Sequence, residues 1–212
     1  MCGIAGKLDR RGNGVTEGLL RRMLGAIRHR GPDQFGIYRD RKIGMGNARL
    51  SIIDLGNGQQ PICNEDGSLW IVFNGEIFNY IELRADLLAR GHVLGTKTDT
   101  ETILHLYEEL GPECLQYLNG QFAMAIWDAK REELFLSRDR LGVRPLFYTD
   151  DGSRLLFASE IKALLASDEV PAELDLVSLD QVFTYWSTLS PRTMFRGIRE
   201  LPPGHFLLAK RN

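Results

Sequence analysis

The sequence predicts an α+β fold in which helices cover antiparallel sheets. Strand-like runs dominate the chain, and its two clearest long helices are grouped between an early and a late set of strands. The run FAMAIW is apolar on both faces, as in a strand covered on each side.

Taken in order, CGIAGKL opens the chain as a short apolar strand. TEGLLRRMLGAIRHR has helical spacing, with Leu20, Met23, Leu24 and Ile27 on one face, and the glycine and proline of RGPD close it. Strands follow at FGIYRD, ARLSIIDL and LWIVFNG, the first two separated by a glycine-rich stretch. YIELRADLLARG then places Leu83 and Leu87 four apart and stops at Gly91, a helix-ending residue. TETILHLYEELG aligns Ile103, Leu106, Tyr107 and Leu110 on one helical face. Strands return at QFAMAIWDA, ELFLSRD, PLFYTD and RLLFASE, with DDGS as a turn between the last two. ASEIKALLASD and LDLVSLDQVFTYW read as further helices, and GHFLLAKR as a closing strand. With no repeat, low-complexity tract or long linker, residues 1–212 read as a single domain.

Composition narrows the function classes. Hydrophobic residues at 43% and charged residues at 25% are ordinary for a globular chain, and a formal net charge of -2 gives no reason to expect nucleic acid or an anionic membrane as partner. No apolar run approaches the roughly eighteen residues of a membrane span, and the N-terminus lacks the apolar stretch of a signal peptide, so a cytoplasmic location is expected. Cys2, Cys63 and Cys114 are odd in number and lack CxxC spacing, which indicates neither a zinc site nor a disulfide framework. Cys114 reads as a small buried hydrophobe, and Cys63 carries no assignment. His29, His92, His105 and His205 form no HxxxH or HExxH pattern; they read as structural or surface residues, and no metal site is expected.

The opening MCGIAG raises the chemical question. A nucleophilic cysteine ordinarily needs a neighbouring base. Removal of Met1 would give Cys2 a free α-amino group, with an ordinary pKa of roughly 7.7 to 8, as a base on the nucleophile's own residue. The plain alternative is that a small residue happens to follow the initiator. In VFNGEIFNY, Asn74 offers an amide donor and Gly75 a closely approachable backbone N–H, a pair that can form an oxyanion hole. Asn-Gly is equally a strong hairpin-turn signal, and on these residues alone the turn leads. Arg49 in GNARLSIIDL can clamp a carboxylate or stand as a surface arginine. In KTDTET, Thr98 and Glu101 have capping-box spacing and Asp99 favours the positive end of a helix, while Asp99 and Glu76 could equally bind an ammonium group. Arg49 with two carboxylates is what a free α-amino acid requires. The arginine-rich RHRGPDQFG and SRDRLGVRPLFY suit anion binding, or ion pairs and turns made with Asp33 and Asp139.

In order and spacing, MCGIAG, RHRGPD, ARLSIID, NGEIFNY, TDTE, SRDRLGVRPLFY and FASEIKALL resemble the glutaminase domain of glutamine-hydrolysing asparagine synthetases, over nearly the whole chain. The resemblance implies a class II glutamine amidotransferase with the N-terminal nucleophile hydrolase fold, a four-layer αββα sandwich of two mainly antiparallel sheets. It implies that Cys2 attacks the side-chain amide of L-glutamine and forms a glutamyl thioester, with Asn74 and Gly75 as the oxyanion hole. Arg49 would hold the substrate carboxylate, Glu76 and Asp99 its ammonium group, and the backbone of Leu50, Ser51, Ile52 and Ile53 would line the pocket. Arg30 and Gly31 would support the nucleophile.

Two departures stand out. Asn47 occupies a place where many relatives carry histidine, which bears on local packing. Nothing resembles the ATP-using C-terminal synthetase domain with its Ser-Gly-Gly-x-Asp-Ser loop, so that domain reads as absent. The resemblance thus implies no cofactor for this domain, with ATP and Mg needed by the synthetase domain alone. Ammonia made here would serve asparagine synthesis from aspartate in a full-length chain, and the reading admits a homodimer. The alternatives are an amidotransferase domain serving a different carboxylate acceptor, a non-catalytic regulatory domain that retains Met1, and a Cys-His hydrolase for which no particular histidine is indicated.

Overall fold

A computed structural model describes residues 1–210. The first half contains β1 (Gly3–Asp9), α1 (Glu17–Ala26), β2 (Gln34–Arg39), β3 (Ile43–Arg49), β4 (Ile62–Cys63) and β5 (Leu69–Ile77). Two helices follow, α2 (Tyr80–Ala89) and α3 (Asp99–Leu110), and then β6 (Gly120–Asp128), β7 (Glu133–Arg138), β8 (Phe147–Asp150) and β9 (Arg154–Ala158). The chain continues through α4 (Ile161–Leu165), α5 (Leu176–Tyr185), β10 (Arg199–Glu200) and β11 (Phe206–Lys210). Arg211 of the expected closing run lies outside the described residues.

One sheet has the order β10-β8-β9-β1-β3-β2 and the other β11-β7-β6-β5-β4. Neighbouring strands run antiparallel, as in the pairings of β1 with β3 and of β5 with β6. Their side chains alternate between faces, and this divides the interior into three apolar layers. Leu20, Met23 and Leu24 of α1 and Leu164 of α4 cover Ala5, Leu156 and Ala158. Between the sheets, Ile4, Met45 and Phe157 meet Val72, Ala125 and Trp127. On the far side, Phe73, Phe122 and Met124 pack under Leu87 of α2 and Ile103 and Tyr107 of α3. The architecture is a four-layer αββα sandwich. β6 explains FAMAIW: Phe122, Met124 and Ile126 face the helices, while Ala123, Ala125 and Trp127 face the other sheet.

Two local expectations are corrected. The strand expected at ARLSIIDL lies earlier, at Ile43–Arg49, and 50–55 forms a loop. The glycine-rich stretch read as a separator is the strand itself, because α1 packs directly on it. A Cβ on Gly44 would come within 2.6 Å of the Val15 side chain, and one on Gly46 within 2.7 Å of Leu24. Asn74-Gly75 does not turn the chain either; both residues sit inside β5, opposite Ala123 and Phe122 of β6. The helix expected at LDLVSLDQVFTYW is α5, although Leu176, Val177, Phe183, Tyr185 and the following Trp186 are exposed.

Candidate active site

Cys2 directly precedes β1, and the pairing of Gly3 with Ala48 sets it beside the end of β3. Its Sγ lies 3.6 Å from the carbonyl oxygen of Leu50. Arg30 fixes the backbone at this point. Its Nε donates to the Cys2 carbonyl at 2.9 Å, and its Nη1 donates to Glu160 Oε1 at 2.9 Å. Burial pushes the Glu160 carboxyl up, but hydrogen bonds from Arg30, Lys162 and His29 outweigh it and bring the group down to about 2. Gly31 allows the close approach of this segment, since a Cβ there would stand 2.1 Å from the Ala48 carbonyl oxygen. The Cys2 thiol is raised above its ordinary value by burial, which outweighs the opposing backbone hydrogen bond at Leu50 and the positive charges of the N-terminus and Arg49. Among the described residues no histidine lines this pocket.

Asn74 and Gly75 line the same pocket as Cys2. The Asn74 side chain is only 1% exposed, and neither its Oδ1 nor its Nδ2 has a partner among the described residues. Buried amides without partners are rare, and one in a pocket is poised for a ligand. The Gly75 N–H is placed by the open edge of β5, because β4 pairs only with Trp70 and Ile71. Further along that edge, the Phe73 N–H donates to Gln60 Oε1 at 2.6 Å and the Ile77 N–H to Asp99 Oδ2 at 3.1 Å. By the two-residue repeat, the Gly75 N–H between them points the same way. On the β6 side, Phe122 is bonded to Asp139 through both its N–H and its carbonyl, leaving Gly75 free of that ladder. A side chain at 75 would strike Gln121 O at 2.2 Å.

The rest of the pocket carries charge suited to an amino acid. Asp99 begins α3, where Thr98 caps the helix by accepting the Glu101 N–H at 3.1 Å. The reciprocal half of the capping box is diverted: the Glu101 carboxylate accepts from Gly95 N–H and Thr96 N–H at 2.8 and 2.6 Å. Burial raises the Asp99 carboxyl, against the hydrogen bonds it accepts from Ile77 and Thr100, and nearby Glu76 pushes it the same way. Two carboxylates in this setting favour an ammonium ligand. Arg49 is buried and spends three donors on Gln34 Oε1, Ile53 O and Asp54 O, at 2.8, 2.7 and 3.0 Å. These bonds shape the loop after β3 and leave its Nε–H and one Nη1–H.

The structure therefore brings Cys2, Arg49, Leu50, Ile52, Ile53, Asn74, Gly75, Glu76 and Asp99 into one pocket. Ser51 is absent from the lining; its N–H donates to Asp33 Oδ2 at 2.9 Å and anchors the loop from behind. Arg30 and Gly31 hold the Cys2 backbone from outside the pocket. Sequence reading missed Gln60, Thr98, Thr100 and Arg144 as lining residues. For Gln60 the signal was weak, one amide in the polar run GNGQQP. Asn47 is buried and donates to the Phe73 carbonyl at 3.0 Å, tying the two sheets together next to Asn74. The other arginines of SRDRLGVRPLFY serve the fold: Arg138 binds Glu200 and the carbonyls of Gly142, Arg144 and Leu201.

This fold recurs in glutamine phosphoribosylpyrophosphate amidotransferase of B. subtilis, solved with ADP and GMP. The two align with a TM-score of 0.69 at 21% identity, over 98% of this chain and 47% of that one. At that identity the likeness concerns the fold alone. The chain belongs to the glutamine amidotransferase domain family, whose family model matches residues 1–212. It is 42% identical over 211 residues to glutamine-hydrolysing asparagine synthetase 3 of Bacillus subtilis strain 168, covering 98% of this chain and 34% of that protein. It is 41% identical over 215 residues to asparagine synthetase 2 of the same organism, over 98% of this chain and 28% of that protein. The chain thus spans about a third of the length of these curated relatives.

Proposed function

We propose that this domain hydrolyses L-glutamine to L-glutamate and ammonia through Cys2, once Met1 has been removed. The observation that carries the reading is the buried, unpartnered amide of Asn74 beside the open-edge N–H of Gly75, in the pocket that holds the Cys2 thiol. With Met1 in place the Cys2 nitrogen is an amide and has no basicity. Freed, it takes the thiol proton, and sulfur adds to the side-chain carbonyl carbon of glutamine. The oxygen becomes an anion that the Asn74 Nδ2–H and Gly75 N–H can stabilise. The C–N bond then breaks, and the α-ammonium returns the proton to the departing ammonia. Water, deprotonated by the same amine, attacks the thioester, releases glutamate and regenerates the thiol. Asp99 and Glu76 would hold the substrate's ammonium group and Arg49 its carboxylate.

The ammonia would serve ATP-dependent asparagine synthesis in a longer chain, as the names of the relatives support. The exposed apolar side chains of α5 and Trp186 suit packing against such a neighbour. A cytoplasmic setting fits an activated thiol, which persists where disulfides are kept reduced. Among the described residues, no helix is long and apolar enough to cross a membrane.

The test is intact mass after incubation with 6-diazo-5-oxo-L-norleucine, a reactive glutamine analogue. The expected product lacks Met1 and carries one adduct, mapped to Cys2. A processed chain that takes up no adduct, or a Cys2→Ala protein that hydrolyses glutamine at the unmodified rate, overturns the reading. Retained Met1 without an adduct supports the regulatory alternative.

A further inference from the structure

Away from Cys2, the fold gathers two histidines that the sequence holds thirteen residues apart. His92 follows α2 and His105 lies within α3, and their Nδ1 atoms stand 3.1 Å from each other. Glu65, from the turn between β4 and β5, brings Oε2 to 3.6 Å from His105 Nδ1. Ligand atoms of Glu65, His92 and His105 all fall within 4.8 Å of one another. Glu108 adds an Oε2 at 3.4 Å from His105 Nδ1 and 3.9 Å from His92 Nδ1.

The far side of each ring decides what the near side can do. His92 Nε2 meets Glu109 Oε1 at 3.0 Å, which requires the proton on Nε2 and, in the neutral ring, leaves a lone pair on Nδ1. His105 is 1% exposed; its Nε2 has no hydrogen-bond partner among the described residues, and the nearest carboxylate, Glu101 Oε1, stands 3.9 Å away. A neutral His105 with its proton on Nδ1 could bond to His92, but its Nε2 lone pair would then be buried facing the Glu101 carboxylate. With the proton on Nε2, two lone pairs face each other at 3.1 Å. The first leaves the strain at Nε2; the second calls for a cation in the gap. A proton serves one donor–acceptor line, whereas four lone-pair groups converge here. Ligand nitrogens on a tetrahedral zinc, bound at 2.0 to 2.1 Å, lie about 3.3 Å apart, close to the spacing of this pair.

We propose that Glu65, His92 and His105 form a binding site for a divalent transition-metal ion of the zinc type, with Glu108 able to take the fourth position by a side-chain rotation. Nitrogen with carboxylate donors suits zinc over calcium or magnesium, which take oxygen ligands. Glu109 holds His92 in the ligating tautomer, the outer carboxylate that metal-bound histidines ordinarily carry. The ion would clasp the β4–β5 turn, the segment after α2 and the middle of α3, the helix whose first residue is Asp99.

The test is direct metal binding to the purified chain after chelator treatment. Zn²⁺ is titrated in competition with a chromogenic chelator, and Co²⁺ is added separately as a spectroscopic probe. One Zn²⁺ per chain is expected, and the Co²⁺ form should show tetrahedral d–d absorption without a thiolate charge-transfer band. His92→Ala and Glu65→Gln, at a half-buried and an exposed position, should each weaken binding at least about 100-fold, and Glu109→Gln about 10-fold. Circular dichroism confirms that the variants remain folded. Absence of a saturable equivalent, equal affinity in His92→Ala, or a thiolate band that marks a cysteine site each overturns the proposal. So does a doubly protonated His105 in nitrogen NMR that Zn²⁺ leaves unchanged.

Discussion

Asn74 keeps a buried amide with no protein partner, and leaving such a group unbonded costs a folded chain roughly 1–3 kcal/mol. A site tolerates that cost when the missing bond is made to charge that develops during reaction, because the donor is then already aligned. Asn74→Ala should therefore lower kcat for glutamine hydrolysis by about 100- to 1,000-fold and leave KM within a few-fold. Steady-state ammonia release measures both constants. A KM effect with unchanged kcat would place Asn74 in ground-state binding instead. Arg49 shows the complementary use of a polar side chain. Its bonds to Ile53 and Asp54 build the loop that walls the pocket, so its substitution should disturb pocket shape as well as charge.

At the scale of elements, β3 is defined by what packs on it. Gly46 stands under α1 with Leu24 Cδ1 and the Gly36 carbonyl oxygen each 2.7 Å from where its Cβ would be. Gly46→Ala should destabilise the domain by about 1–3 kcal/mol, the usual cost of overpacking. Gly25, in α1 with no atom within 4 Å of where a Cβ would be, gives the opposite sign; Gly25→Ala should stabilise by about 0.5–1 kcal/mol. Urea unfolding of the pair measures both. The contrast also explains what the sequence could show. Helices α1 and α3 were legible because their apolar faces repeat along the chain, and so was β6 with its two covered faces. β3 was misplaced because its glycines look like a linker until the helix above them is known. Asn74-Gly75 read as a turn because the dipeptide signal is local, whereas the open edge of β5 comes from the shortness of β4. Cys2, Asn74 and Asp99 could be joined only through the motif pattern. His92, His105 and Glu65 had none, since three separate segments bring them together.

For the whole molecule, the four layers set the candidate site at one end of the sandwich, where β1 begins and β3 ends. What holds that end is a bridge across the first sheet. Glu160, between β9 and α4, accepts from Arg30, and Arg30 also donates to the carbonyl of Cys2. His29 and Lys162 also meet Glu160, at 2.8 and 3.0 Å. These partners lower the Glu160 carboxyl to about 2 in the folded chain, below an unfolded value of roughly 4.3. A depressed carboxyl gives its stabilisation in full above the unfolded value and loses it as pH falls through the folded one. Because the carboxylate is partly solvated, the contribution is about 1 kcal/mol or less. Glu160→Gln should then unfold at lower urea than the unmodified chain at pH 7, with the gap constant down to about pH 4.5 and closing toward pH 2. A gap that does not narrow would show that Glu160 acts through packing and not through its charge. Alkylation of Cys2 adds a second readout. If the bridge positions the nucleophile, Glu160→Gln slows labelling by the glutamine analogue at pH 7 while the chain is still fully folded.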